Sequence, residues 1–164
     1  MHGEVSLRPL RSKDADAFFT WAGDKEVTQS LFWDAHSSVE DAKVFLTNVV
    51  ESHSWFMTIV FNGTPVGAIT LDQGRGRAEK RAELGYVLAK KYWGRGIVTK
   101  AVKIALQKGF EDLGIVRIEA YVDPHNMGSV RVLEKAGMCK EGYLKKYLIH
   151  RGNICDRIIF AMTK

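Results

Sequence analysis

The sequence predicts one mixed α/β domain over residues 1–164, built on a central mixed sheet of about seven strands with about four helices. Three observations predict it. Short alternating apolar runs recur along the chain, as half-buried strands require. A long amphipathic helix follows the glycine-spaced turn Trp93-Gly94-Arg95-Gly96. Helical and strand patterns interleave in the order β-α-α-β-β-β-α-β-α-β-β, with no repeat, low-complexity tract or interdomain linker between them.

Residues 4–10 alternate and read as the first strand. Ser12 is placed to cap the next helix, with Asp14 and Asp16 in its first turn and Phe18, Phe19 and Ala22 on its core face. Segment 23–37 reads as irregular and carries Leu31, Phe32 and Trp33, which pack on the core or line a pocket. Ser37 and Glu40 have capping-box spacing. Val39, Ala42, Phe45, Leu46 and Val49 then recur at helical spacing. Residues 55–61 and 66–72 form a hairpin through Asn62-Gly63. Residues 73–80, with Gly74 and Gly76, read as a mobile loop before the strand 81–88.

The helix after Gly96 places Val98, Ala101, Val102, Ala105, Leu106 and Leu113 on one side and Arg95, Lys103, Gln107 and Glu111 on the other. Its expected length is on the order of 25–30 Å, with Gly114 ending it. Residues 116–122 alternate as a strand. Asp123-Pro124-His125-Asn126 breaks that strand and caps a short helix closed by Gly137. Strands at 141–149 and 154–162 meet across residues 150–153.

Composition narrows the function. The chain is 46% hydrophobic and 26% charged, which excludes disordered, collagenous and coiled-coil classes. A formal charge of +5, with Lys and Arg scattered, suits an anionic small partner better than nucleic acid. Cys139 and Cys155, without a C-x-x-C pair, read as two buried free thiols and offer no zinc site. No apolar run spans a bilayer and the first residues lack a signal-peptide core, so no membrane partner and a cytoplasmic location are expected, the nucleus remaining open. Monomer and homodimer both remain open.

The turn before the long helix is the chemical centre of the chain. Gly94 and Gly96 allow a sharp backbone reversal. The first N–H groups of the helix have no helical partner and lie at the positive end of its dipole, a natural seat for phosphate. A P-loop would need Gly-x-x-x-x-Gly-Lys-Ser/Thr, which is absent. A dinucleotide fingerprint would need a small residue where Thr99 stands, and its acidic ribose ligand would fall at Glu119, inside a strand.

Lys91-Tyr92-Trp93-Gly94-Arg95-Gly96 resembles the Gln/Arg-x-x-Gly-x-Gly/Ala signature of the GNAT acetyltransferases, with Lys in the first place. Ala82-Glu83-Leu84-Gly85-Tyr86 resembles that family's fourth strand, Asn126-Met127-Gly128-Ser129 its Asn-x-x-Ser element, and residues 132–137 its helix before the sixth strand. The set covers nearly the whole chain in order and is most similar to the branch containing ribosomal-protein N-terminal acetyltransferases.

The resemblance implies a sheet splayed between its fourth and fifth strands and acetyl-CoA as cosubstrate, with no metal. It implies backbone pairing of the pantetheine arm near Val87, Leu88 and Ala89, and the pyrophosphate at Gly94, Arg95, Gly96, Ile97 and Val98. Lys90, Lys91, Arg95 and Lys100 are candidates for the 3′-phosphate, or are plain surface charges. Asn126 would bond the pantetheine arm or cap its helix. A backbone N–H near Leu88 would polarise the thioester.

Glu83 is the first candidate base, direct or through water; the alternative is a carboxylate paired with Arg81 or Arg117. Ser129 is the candidate acid for the thiolate, with Tyr92, Tyr143 and Tyr147 as alternatives and helix capping as its structural use. Asp156 orders a loop, forms a salt bridge or binds the substrate ammonium. The five histidines show no ligand or triad spacing. The amine acceptor is expected between segment 23–37 and the turn at 150–153. A protein N-terminus is the first acceptor class, a small amine the second, and a non-catalytic acyl-CoA sensor the alternative outside enzymes.

Overall fold

The computed structural model describes residues 3–29, 31 and 34–164. Phe32 and Trp33 lie outside the described residues. Seven strands form one sheet in the order β1-β2-β3-β4-β5-β7-β6. The strands are β1 (Val5–Arg8), β2 (Trp55–Phe61), β3 (Thr64–Gln73), β4 (Arg81–Leu88), β5 (Arg117–Val122), β6 (Cys139–His150) and β7 (Asn153–Thr163). Among the described residues only β4 and β5 pair in parallel; the other neighbours are antiparallel. Among the described residues there are five helices: α1 (Ala15–Ala22), α2 (Lys25–Thr28), α3 (Val39–Ser52), α4 (Ile97–Glu111) and α5 (Met127–Lys135).

Two apolar clusters sandwich the sheet. The larger joins α4, through Ile97, Ala101, Val102 and Ala105, to Ile69, Leu71, Leu84 and Ile118 of the strands. The smaller joins α1 and α3, through Phe18, Trp21, Ala22, Ala42 and Leu46, with Val87 packed against it. Val87 and Leu88 thus face opposite cores, as strand alternation demands.

Several local expectations change. Ser12 does not cap α1. It opens a short 3-10 turn, Ser12–Asp14, whose buried Asp14 accepts from the backbone N–H of Arg11 (2.8 Å) and takes the Arg8 guanidinium on both oxygens (2.6 and 2.9 Å). The α3 cap is Ser38, which accepts from Asp41 N–H at 3.1 Å, one place after the expected Ser37–Glu40 box. Segment 23–37 is not wholly irregular, because Asp24 caps the one-turn α2 by accepting from Glu26 N–H at 2.9 Å. Segment 73–80 contains a 3-10 turn at Gly76–Ala78, and β3 runs on to Gln73. At 15 residues α4 is about 22 Å long. It stops at Glu111, so Leu113 is exposed, and Gly114 (φ 64°) turns the chain beyond the helix. The cysteines are free, but Cys139 is exposed and Cys155 half-buried.

Candidate active site

β4 is the floor of the candidate site because it loses one neighbour midway. It pairs with β3 from Gln73↔Ala82 to Gly67↔Leu88. With β5 it shares only Arg81↔Arg117, Ala82↔Ile118 and Glu83↔Glu119. Beyond that point β5 follows β7 as far as Val122↔Ile158, and the sheet opens. The Ala89 N–H donates to the Val66 carbonyl (2.8 Å), and Gly74 N–H to the Arg81 carbonyl (2.9 Å). Antiparallel alternation therefore assigns the backbone groups of residues 81, 83, 85, 87 and 89 to β3. Those of Tyr86 and Leu88 turn toward the gap. Of the three positions expected to pair with an extended ligand, only Leu88 has its backbone on the open side. Val87 and Ala89 are committed to β3.

The chain then makes a 3-10 turn, Lys90–Tyr92, and enters α4 through Gly94 (φ 71°) and Gly96 (φ 74°). Both angles are left-handed, and a Cβ at either glycine would meet no protein atom within 4 Å. Backbone conformation, not crowding by the protein, is what requires glycine here. The first helical bond runs from Lys100 N–H to the Gly96 carbonyl at 3.2 Å, and no side chain caps the helix. The N–H groups of Ile97, Val98 and Thr99 therefore lack helical partners at the positive end of α4.

The opposite wall is the start of α5. The Asn126 side-chain oxygen accepts from Ser129 N–H at 3.1 Å and caps that helix. The Tyr86 hydroxyl donates to the Ser129 carbonyl at 3.4 Å, tying the floor to this wall. Burial pushes the Tyr86 phenol up to about 12, with the Ser129 contact opposing that rise.

Between these walls lies a cleft of about 450 Å³. Of the expected site residues, Val87, Leu88, Gly94, Arg95, Gly96, Ile97, Val98, Asn126 and Ser129 line it. Glu83, Ala89 and Lys91 do not. Ala89 is buried in the smaller core. The Lys91 ammonium sits over the Tyr92 ring, 5.1 Å from its centre. Lys90 is ion-paired with Glu26, and Lys100 lies 3.5 Å from the Gly3 carbonyl. The Arg95 guanidinium stacks over Phe61 (5.1 Å) and Tyr92 (5.6 Å).

Tyr86, Arg131 and Lys135 also line the cleft and were missed by sequence reasoning. The available signal was the four-residue spacing of Arg131 and Lys135 on one face of α5, directly after the Asn-x-x-Ser element.

Glu83 stands in a row of carboxylates across three strands, opposite Asp72 on β3 and Glu119 on β5. The alternative pairing with Arg81 or Arg117 does not form. Arg81 (3.2 Å) and Arg117 (2.9 Å) both bind Glu119, and Arg117 also grips Glu141 at 2.7 Å. Glu83 keeps solvent contact, yet surrounding protein withdraws enough water to raise its pKa above the ordinary carboxylate range. The Asp72 and Glu119 charges add to that rise and Arg81 opposes it.

Tyr92 lines the cleft, whereas Tyr147 stacks on Tyr121 at 5.2 Å and Tyr143 donates to Asp156 at 2.8 Å. Asp156 also accepts from Lys146 N–H (2.7 Å), so it orders the bulged part of β6 where Lys146 has φ 51°. His53 binds both Asp72 oxygens at 2.6 and 2.8 Å. The turn between β6 and β7 touches the segment after α2. His150 Nε2 meets the Gln29 carbonyl at 3.0 Å, and Arg151 reaches the Thr28 carbonyl (3.1 Å) and the Asp34 carboxylate.

Comparison with known proteins agrees with this architecture. Residues 4–139 match the model of the acetyltransferase (GNAT) domain. The N-acetyltransferase p20 of Bacillus licheniformis is 30% identical, with 98% of this chain and 93% of that protein covered. Escherichia coli spermidine N(1)-acetyltransferase is 24% identical over 85% of this chain and 75% of its own length. The ribosomal protein uS5-alanine N-acetyltransferase of Escherichia coli is 36% identical over 49% of this chain and 41% of its own length. A GNAT-family acetyltransferase structure from Bacillus anthracis superposes with a TM-score of 0.88 at 27% identity, covering 98% of this chain and 96% of that one. Mycobacterium smegmatis RimJ, solved with CoA-disulfide, gives 0.79 at 29% identity over 99% and 83%. The family match, the splayed β4–β5 pair and the uncapped start of α4 agree, and the chain belongs to the GNAT acetyltransferases as an N-acetyltransferase.

Proposed function

We propose that the protein moves an acetyl group from acetyl-CoA to a primary amine by direct attack within a ternary complex. A protein N-terminus is the first acceptor class. The observation that carries this reading is one cleft combining three features: the unpaired edge of β4, the uncapped start of α4 and the Asn126–Ser129 end of α5. An extended amide-bearing arm suits the Tyr86 and Leu88 backbone groups, and a pyrophosphate suits the N–H groups of residues 97–99 beside Arg95. Arg131 and Lys135 add positive charge to the same cleft for the phosphates. Asn126 spends its oxygen on capping, which leaves its side-chain NH₂ free to donate to the arm.

In the reaction the amine nitrogen bonds to the thioester carbon, the C–S bond breaks, and CoA leaves as a thiolate. A backbone N–H near Leu88, on the open edge of β4, is the donor for the carbonyl oxygen as it gains charge. Ser129, or Tyr92 as the alternative, is the group to return a proton to the thiolate. Glu83 takes the ammonium proton through water, since it stands outside the cleft, and burial together with the Asp72 and Glu119 charges makes it a stronger base than an ordinary carboxylate. Glu83→Gln is expected to lower kcat by about 10²–10⁴ and to abolish the rise of rate with pH. A wild-type pH–rate curve in that variant rules out the role.

Small amines form the second reading, because the spermidine-acetylating relative aligns over far more of the chain than the uS5-specific one. A thiol-release screen with acetyl-CoA against Ala- and Ser-starting peptides, polyamines and amino sugars decides between them. Release with no amine tested defeats both.

A further inference from the structure

We infer that Trp93 is a positioning residue that staples the phosphate-binding turn to the open end of β4. Its indole Nε1 donates to the Leu88 carbonyl at 2.8 Å. That carbonyl is one of the groups the strand turns toward the gap, where β5 no longer supplies a partner. The ring is 49% exposed, so core packing does not account for where it sits. Between the bonded residues runs the turn Lys90–Tyr92, and directly after Trp93 come Gly94 and Gly96, both with positive φ. Two glycines in a row of three residues give the turn wide freedom, and one hydrogen bond at its near side restricts where it starts. Between the two glycines, Arg95 stacks on Tyr92 and Phe61 and restricts it again.

The bond has a second effect. It engages the outermost acceptor of the β4 edge, so a ligand arm along that edge meets the Leu88 N–H beside a carbonyl that already accepts one hydrogen bond. Trp93 thereby sets where arm pairing ends and where the anion seat begins, and it fixes the spacing between them. This inference rests on the reading of the cleft as the acetyl-CoA site.

The test compares wild type, Trp93→Phe and Trp93→Leu. Phe keeps an aromatic ring and loses the N–H. Calorimetric Kd for CoA, KM for acetyl-CoA, kcat and Tm are measured, with amide hydrogen exchange of residues 94–98 in the absence of ligand. Trp93→Phe is expected to weaken CoA binding and raise KM about five-fold, the scale of one hydrogen bond, with kcat within two-fold and Tm unchanged. Exchange at residues 94–98 is expected to quicken. Wild-type Kd and exchange in Trp93→Phe, with loss only in Trp93→Leu, overturn the staple in favour of ring packing. A fall in kcat at unchanged KM overturns it too. Faster exchange in Trp93→Phe beside a wild-type protein that does not bind CoA upholds the staple and defeats the reading of the cleft.

Discussion

Glu83 and Asp14 show how neighbours in the fold assign opposite duties to similar side chains. The Glu83 side chain has no hydrogen bond or ion pair among the described residues, and burial is the first cause of its raised pKa. Asp72, held by His53, is the next, and Glu119 follows. Removing the Asp72 charge lowers the Glu83 pKa, so the rising limb of the pH–rate curve should move to lower pH in Asp72→Asn. The limb's midpoint in kcat/KM is the measurement, and an unmoved midpoint rejects the coupling. Asp14 is the reverse case. The Arg8 hydrogen bond holds its carboxyl below the ordinary range against the opposing cost of burial. Its contribution to stability is therefore complete above the unfolded-state pKa of about 3.9 and is lost as pH falls through the lower folded value. Asp14→Asn should cost about 2–4 kcal/mol at pH 7 in denaturant unfolding, with the difference from wild type narrowing in acid. The sequence placed Asp14 in the first turn of the helix, whereas it closes the 3-10 turn just before α1. The sequence did not reveal Arg8 as the partner, because strand-to-turn ion pairs depend on the angle at which Pro9 and Leu10 bend the chain.

At the scale of elements, β4 matters through its alternation. Expectation put ligand pairing at three successive residues, whereas a strand between two neighbours can offer only alternate ones to either side. That rule is readable from sequence only once the neighbour and register are known, and the Ala89 bond to Val66 supplies both. The glycine turn, the Asn126–Ser129 element and the long helix were legible because their signals are local: φ freedom, capping oxygens and apolar spacing. Tyr86, Arg131 and Lys135 were not, since they meet only after α5 docks beside α4.

Gly67 shows what keeps β4 in place. A Cβ there would stand 2.2 Å from the Val87 carbonyl oxygen, a backbone atom that cannot move aside without shifting the strand. Gly67→Ala should therefore cost about 1–3 kcal/mol in stability and raise KM for acetyl-CoA, since the displaced segment carries Tyr86 and Leu88. Unchanged Tm and KM contradict this account.

Across the whole molecule, the sheet opens toward two sides, and distant segments of chain close it. On the side of the cleft the walls belong to α4 and α5. On the other, the turn between β6 and β7 clasps the segment after α2 through His150–Gln29, Arg151–Thr28 and Arg151–Asp34, while Lys90 holds α2 through Glu26. Segment 23–37 and the turn at 150–153, separated by more than 100 residues, were expected to bracket the acceptor, and the structure brings them into contact. Val27 of α2 and Leu31 beyond it also reach the cleft lining, so the clasp and the cleft share a wall. Among the described residues no helix is long and apolar enough to cross a membrane. Arg151→Ala removes the guanidinium from both the Thr28 carbonyl and the Asp34 carboxylate. These contacts are largely solvent-exposed, so stability should change by less than about 1 kcal/mol. On the proposal that these two segments bracket the acceptor, its KM should rise about three- to ten-fold once they are no longer tied, while Kd for CoA stays within two-fold. Asp34→Ala should reproduce part of the effect. If both variants instead weaken CoA binding and leave the acceptor KM unchanged, the clasp serves the cosubstrate wall through Val27 and Leu31, and the acceptor must enter elsewhere.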